Sequence, residues 1–228
     1  MTDSPPISLV CFDLTSIVID DSVVERAFAE AIATQGIVAG TRDYARSMVR
    51  FDRSYGRAPA AVLRDLFDGD EPRSQAALLA FERSFRAAAQ RFGLDLPVDV
   101  ADAMGKMAGS GAGICLLTML SRRSCGELLG LLHAADLVLC GDEAPRGFPW
   151  PDPVLTAMLR LGAADVREVA VVSATPDGVL SGYRAGAGVL VGLGSGRRAA
   201  ALLEAGATHV LDSITALPDL VAAVSSAN

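Results

Sequence analysis

Val10-Cys11-Phe12-Asp13-Leu14-Thr15-Ser16-Ile17 reads as an apolar strand that ends in an aspartate and passes into a turn of small, hydroxylated residues. Apolarity without alternation marks a strand covered on both faces, as in a parallel sheet with helices above and below. The pattern returns downstream, where residues 114–117, 137–140, 169–172, 189–191 and 209–211 are short apolar runs separated by helix-like segments. Together with residues 7–12 they predict an α/β protein with a Rossmann-like, three-layer core around a parallel sheet. Ligands of such sheets bind outside the carboxyl ends of the strands. Asp13, Thr118, Gly141-Asp142 and residues 173–177 all fall at such ends, so one cleft is expected to gather them.

Between the first strand and the second, the period changes. Val23-Val24, Ala27-Phe28 and Ala31-Ile32 recur at helical spacing, as do Leu78-Leu79, Phe81-Glu82, Phe85 and Phe92, with no strand candidate between them. The chain is therefore read as a core domain, residues 1–21 and 97–228, and an inserted all-helical cap domain, residues 22–96. Gly36 and Gly93 are read as C-terminal caps of the first and last cap helices, and Asp68-Gly69-Asp70-Glu71-Pro72 as a turn.

A chain of 228 residues that is 51% hydrophobic can bury such a core and its insert. Its net charge of -7, with scattered basic residues, argues against nucleic-acid and membrane partners. Met1-Thr2-Asp3-Ser4-Pro5-Pro6 lacks the basic flank and apolar run of a leader, and no stretch reaches the length of a bilayer span, so a cytoplasmic location is expected. Cys11, Cys115, Cys125 and Cys140 have no zinc-ligand spacing and are read as buried, reduced thiols. Lys106 is the single lysine; the bias to arginine, alanine and glycine fits a GC-rich bacterial genome.

Taken together, these stretches resemble the haloacid dehalogenase superfamily, and within it the phosphonoacetaldehyde hydrolase-like branch, which carries a helical cap after its first strand. The resemblance runs over nearly the whole chain. It is densest over residues 173–218, where Thr175-Pro176-Asp177, Ala185-Gly186-Ala187-Gly188, Ala205-Gly206-Ala207-Thr208 and Asp212-Ser213 look like the branch's C-terminal signature. It implies that Asp13 stands where the family's nucleophile stands and Thr118 where its second-motif hydroxyl stands. The other motif positions depart from the family. Thr15 replaces the leaving-group acid or alanine, and Phe148, in Gly147-Phe148-Pro149-Trp150-Pro151, replaces the phosphate-neutralising cation, with Arg146 two residues away. In Ser173-Ala174-Thr175-Pro176-Asp177-Gly178 both carboxylates that would grip Mg²⁺ are replaced, by Ala174 and Gly178, and Asp177 is one residue out of register. The cap lysine of the branch is matched by Pro59.

All these substitutions remove charge, so neither a metal nor another cofactor is expected. An aspartate left against Phe148 would be desolvated, which raises its pKa and makes it a candidate acid or base. The leading expectation is a metal-independent enzyme of specialised metabolism in which Asp13 and Thr118 act on a small, weakly charged molecule in the cap–core cleft. Thr15, Asp142, Phe148, Trp150, Thr175 and Asp177 would line that cleft. A non-catalytic ligand- or protein-binding module is the competing expectation and residual phosphatase activity a third; assembly into a homodimer is left open.

Overall fold

The computed structural model describes residues 5–226 apart from 20, 55, 93–95, 127–132 and 134, and leaves the side chains of Thr15 and Phe92 undescribed. Six strands form one parallel sheet: β1 (Leu9–Asp13), β2 (Gly113–Leu117), β3 (Leu137–Leu139), β4 (Val169–Ser173), β5 (Val189–Leu193) and β6 (His209–Leu211). Their order is β3-β2-β1-β4-β5-β6, so β1 lies in the middle, with Leu9 opposite both Gly113 and Val169. All six apolar runs are strands, to within a residue or two at their ends. The architecture is the Rossmann-like one expected.

Alternation along each strand now has a visible purpose. Val10, Phe12, Ile114, Leu116, Ala170 and Val172 point to one face, under helices α6 (Val98–Gly109) and α11 (Leu217–Ser226). Leu9, Cys11, Cys115, Leu117 and Val171 point to the other, under α8 (Asp152–Leu161). Because both faces are buried, both sets must be apolar, and the sequence signal is continuous. Helix α9 (Pro176–Ala185) follows β4 and α10 (Gly196–Glu204) follows β5, while the short helices α1 (Leu14–Val18) and α7 (Arg122–Cys125) follow β1 and β2.

Among the described residues from 21 to 92 there are four helices and no strand: α2 (Asp21–Ala33), α3 (Arg42–Arg53), α4 (Pro59–Leu66) and α5 (Glu71–Phe92). Phe28, Ile32, Phe51, Leu63, Phe81 and Phe85 make a second apolar cluster there, with the Phe28 and Phe51 rings stacked at 4.4 Å. Each such ring is worth roughly 1.5–3 kcal/mol when fully buried. Leu120, Cys125 and Cys140 join this cluster from the segments that follow β2 and β3, Cys125 from helix α7, which ties the helices to the strand ends. Buried Glu82 reinforces the tie by accepting the Ser121 hydroxyl at 2.6 Å and pairing with Arg123 at 3.6 Å.

One local reading holds and one shifts. Gly36 closes α2 as a glycine cap: its φ is +81°, its N–H donates to the Ala33 carbonyl at 3.0 Å and the Ile37 N–H donates to the Ile32 carbonyl at 3.1 Å. Glu71 and Pro72 belong to the first turn of α5, where a proline's missing N–H has no partner to lose. Gly93 lies outside the described residues. No helix among the described residues is long and apolar enough to cross a membrane, and all four cysteines are buried free thiols.

Candidate functional site

Strands β1 and β4 are neighbours, so the residues that end them meet. Asp13 leaves β1 and caps α1, with its Oδ1 accepting the Ser16 N–H at 3.4 Å. Its Oδ2 accepts the Ser173 hydroxyl, at the end of β4, at 2.7 Å and the Thr175 hydroxyl at 3.3 Å. Ser173 Oγ and Thr175 Oγ1 lie 3.1 Å apart, and Thr175 Oγ1 accepts the Gly178 N–H as the N-cap of α9. The Ser16 hydroxyl accepts the Ala174 N–H at 3.0 Å and closes the ring. Asp13 is 2% exposed. Burial pushes its carboxyl above the ordinary value, against the pull of the hydrogen bonds from Ser173, Ser16 and Thr175.

The Mg²⁺ implied by the resemblance does not fit this donor set. A hard cation wants several oxygen ligands, usually including more than one carboxylate, yet two hydroxyls already occupy Asp13 Oδ2. Among the described residues no three His, Cys, Asp or Glu side chains converge as a metal site. Gly178 explains why. A Cβ there would lie 2.8 Å from Ser173 Cβ and 3.0 Å from Asp13 Oδ2, so Ser173 stands in the space through which a carboxylate at position 178 would reach.

The other expected site residues separate into groups. Thr175 touches Asp13, as above. Asp177, half-buried in the first turn of α9, is raised by burial against the attraction of Arg57 and Arg184. It lines a cavity of about 220 Å³ at the strand ends, together with Ser16, Ala174 and Thr175. Thr118 is fully buried and its Oγ1 accepts the Leu120 N–H at 3.2 Å, a local strand-end bond. Phe148, 3% exposed, packs into the apolar cluster with Leu117 and Met119 and lines no part of the cleft cavity. Trp150 is half-exposed between the guanidinium groups of Arg146 and Arg184, 4.4 and 5.2 Å from its ring. Arg146 is held at that surface by two bonds to Asp152, at 3.0 and 2.8 Å, rather than turned toward Asp13. Asp142 accepts the Arg122 N–H and borders a separate cavity of about 160 Å³ with Pro59 and Met119. The Thr15 side chain lies outside what is described.

Sequence reasoning missed Ser16 and Ser173, the two hydroxyls that complete the ring. A serine where the family has glycine, two positions from Thr175, was the available signal. The expectation of a low-charge pocket also needs correction: the cleft cavity is bordered by Asp21, Asp52, Arg53, Asp177 and Arg198. The helical segment closes over the ring through Gly56, which has a φ of +97° and rests on Thr175; a Cβ there would sit 3.0 Å from Thr175 Oγ1. Gly56→Ala is expected to lose roughly 1–3 kcal/mol of stability from the forced φ, measured by urea unfolding. An unchanged midpoint would show that the loop is not seated on Thr175.

The comparisons with known proteins agree with this fold. A family model described as haloacid dehalogenase-like hydrolase matches residues 7–186. A phosphonoacetaldehyde hydrolase from Pseudomonas fluorescens is 30% identical over 116 residues, which are 41% of this chain and 42% of that protein. The match thus spans less than half of that relative. A phosphonoacetaldehyde hydrolase-like protein from Oleispira antarctica superposes with a TM-score of 0.80 at 17% identity, over 99% of this chain and 95% of that one. A hydrolase from Pseudomonas syringae does so with a TM-score of 0.77 at 19% identity, over 96% and 99%. At such identities the structures speak for the fold alone, but the family match covers most of the chain and includes the strand that ends in Asp13. The chain belongs to the haloacid dehalogenase-like hydrolase family.

Proposed function

We propose that this chain is an atypical member of its family that works without a divalent cation and uses Asp13 for proton transfer or nucleophilic attack on a small molecule of little net charge. The observation that carries the reading is the hydroxyl ring: Ser173 and Thr175 hold Asp13 Oδ2 in the space the family's metal carboxylates would need. Oδ2 is fixed by two hydroxyls, whereas Oδ1 accepts the Ser16 N–H at a long 3.4 Å and is the oxygen with more capacity left. A buried carboxyl whose pKa is raised can exchange a proton nearer neutral pH than an exposed one. The helical segment would serve as the cap and the cleft beneath it as the binding site. Thr118 and Phe148 would then act from behind the cleft, since both are buried and neither lines its cavity.

The near-complete burial of Asp13 favours one other reading, a binding module in which the carboxyl is only a structural acceptor. A screen of the full chain in excess EDTA and in Mg²⁺ separates these readings. Hydrolysis of p-nitrophenyl phosphate is expected to stay at background in both, and any substrate found should be converted equally in both and not by Asp13→Asn. Phosphatase turnover that rises with Mg²⁺ and disappears in Asp13→Asn overturns the proposal. Conversion that survives in Asp13→Asn removes Asp13 from the chemistry.

A further inference from the structure

The cavity of about 220 Å³ beside the hydroxyl ring is walled by charges of both signs delivered from separate elements. Asp52 and Arg53 come from the last turn of α3, Asp177 from the first turn of α9 and Arg198 from the first turn of α10. Opposite charges this close to one cavity would be expected to pair with each other. They do not: among the described residues no nitrogen of Arg53 or Arg198 lies within 4.0 Å of a carboxylate oxygen. Arg53 and Arg198 thus border a cavity that carboxylates also border, and among the described residues no direct ion pair satisfies either cation. Arg198 is held by the backbone as well. Its stem lies against Gly194, where a Cβ would come within 2.8 Å of Arg198 Cδ.

We propose that this cavity binds an amino-acid-sized zwitterion, its anionic group between Arg53 and Arg198 and its cationic group toward Asp52 and Asp177. Partial desolvation strengthens both contacts relative to bulk water, and a ligand with both charges meets walls of both signs, with Asp177 shared between that ligand and the field of Arg57 and Arg184. Such a ligand has no net charge. The assignment rests on the metal-independent reading above, because Ser16 and Thr175 both line this cavity and bond Asp13, and it names the substrate class of that site.

The test is calorimetric titration of the full chain with glycine, β-alanine and 4-aminobutyrate, against butyrate and butylamine as singly charged controls. At least one zwitterion is expected to bind ten-fold or more tightly than either control. Arg198→Gln and Asp52→Asn should each erase that preference, and Gly194→Ala, which alters no charge but displaces the Arg198 stem, should weaken zwitterion binding several-fold. Circular dichroism of each variant separates lost binding from lost folding. Binding of no zwitterion, equal binding of butyrate, or a preference untouched by Arg198→Gln and Asp52→Asn in folded protein overturns the assignment. Asp13→Asn should still bind. Zwitterion binding without conversion by the unaltered chain would remove the catalytic reading while leaving the pocket's ligand class in place.

Discussion

Gly178→Asp is expected to damage the protein rather than return it to metal-dependent chemistry. The new Cβ would lie 2.8 Å from Ser173 Cβ and 3.0 Å from Asp13 Oδ2, closer than side-chain atoms pack. Its carboxylate would also sit buried beside Asp13 with no cation to neutralise the pair. Overpacking of this kind costs about 1–3 kcal/mol, and an uncompensated buried charge about 3–5 kcal/mol. For a chain of this size each kcal/mol moves the midpoint by roughly 2–4 °C, so a fall on the order of 10 °C is expected by differential scanning calorimetry. Ser173→Gly in the same chain empties the contested space and should recover the overpacking part of the loss, leaving the part due to the buried charge. A single Gly178→Asp variant that melts like the unaltered protein would show that Ser173 does not fill this position.

Asp13→Asn is expected to move activity and stability in opposite directions. If Oδ1 performs the proton transfer or attack, turnover should fall by about 10²–10⁴-fold, the range such groups contribute. Stability should rise at neutral pH. The carboxyl's pKa is higher in the folded than in the unfolded chain, so the fold binds that proton more tightly. Stability then falls as pH climbs from the ordinary carboxylate range through the raised folded value, and the cost is fully present above it. Asparagine carries no charge to desolvate, and its carbonyl oxygen can still accept from Ser173 and Thr175. The gain should be present at pH 7 and vanish in acid, read from thermal midpoints across pH. A variant less stable at neutral pH would mean that the ionised carboxylate anchors the ring.

The strands were legible because a double-covered strand has to be apolar at every position, and residues 169–172 or 189–191 leave little room for another reading. Their order was not. Apolar runs do not say which neighbour each will pair with, and the placement of β1 between β2 and β4 emerged only from the hydrogen bonds. Within the site, Asp13 and Thr175 could be picked out because they stand at recognisable motif positions. Ser173 could not be valued in the same way, since a strand-end serine ordinarily bonds its own backbone; its role depends on Asp13, which is 160 positions away. Asp52, Arg53 and Arg198 were invisible for a related reason: exposed charges on two unrelated helix turns carry no pattern until the fold places them around one cavity. Phe148 shows the converse. Its motif position pointed to the cleft, but a phenyl ring gains more from Leu117 and Met119 than from a cavity lined with charge.

The central place of β1 bears on how the chain comes off the ribosome. Leu9–Asp13, wholly buried once folded, is the first strand made, yet its partners begin only at Gly113 and Val169. Until Gly113 is made an apolar ribbon has both edges unpaired, and one edge stays open until Val169, the condition under which nascent chains associate wrongly or are bound by chaperones. The hydroxyl ring inherits the same delay. Asp13 waits for Ser173 and Thr175, so a nascent chain that stops short of β4 can hold several finished helices and still have no site.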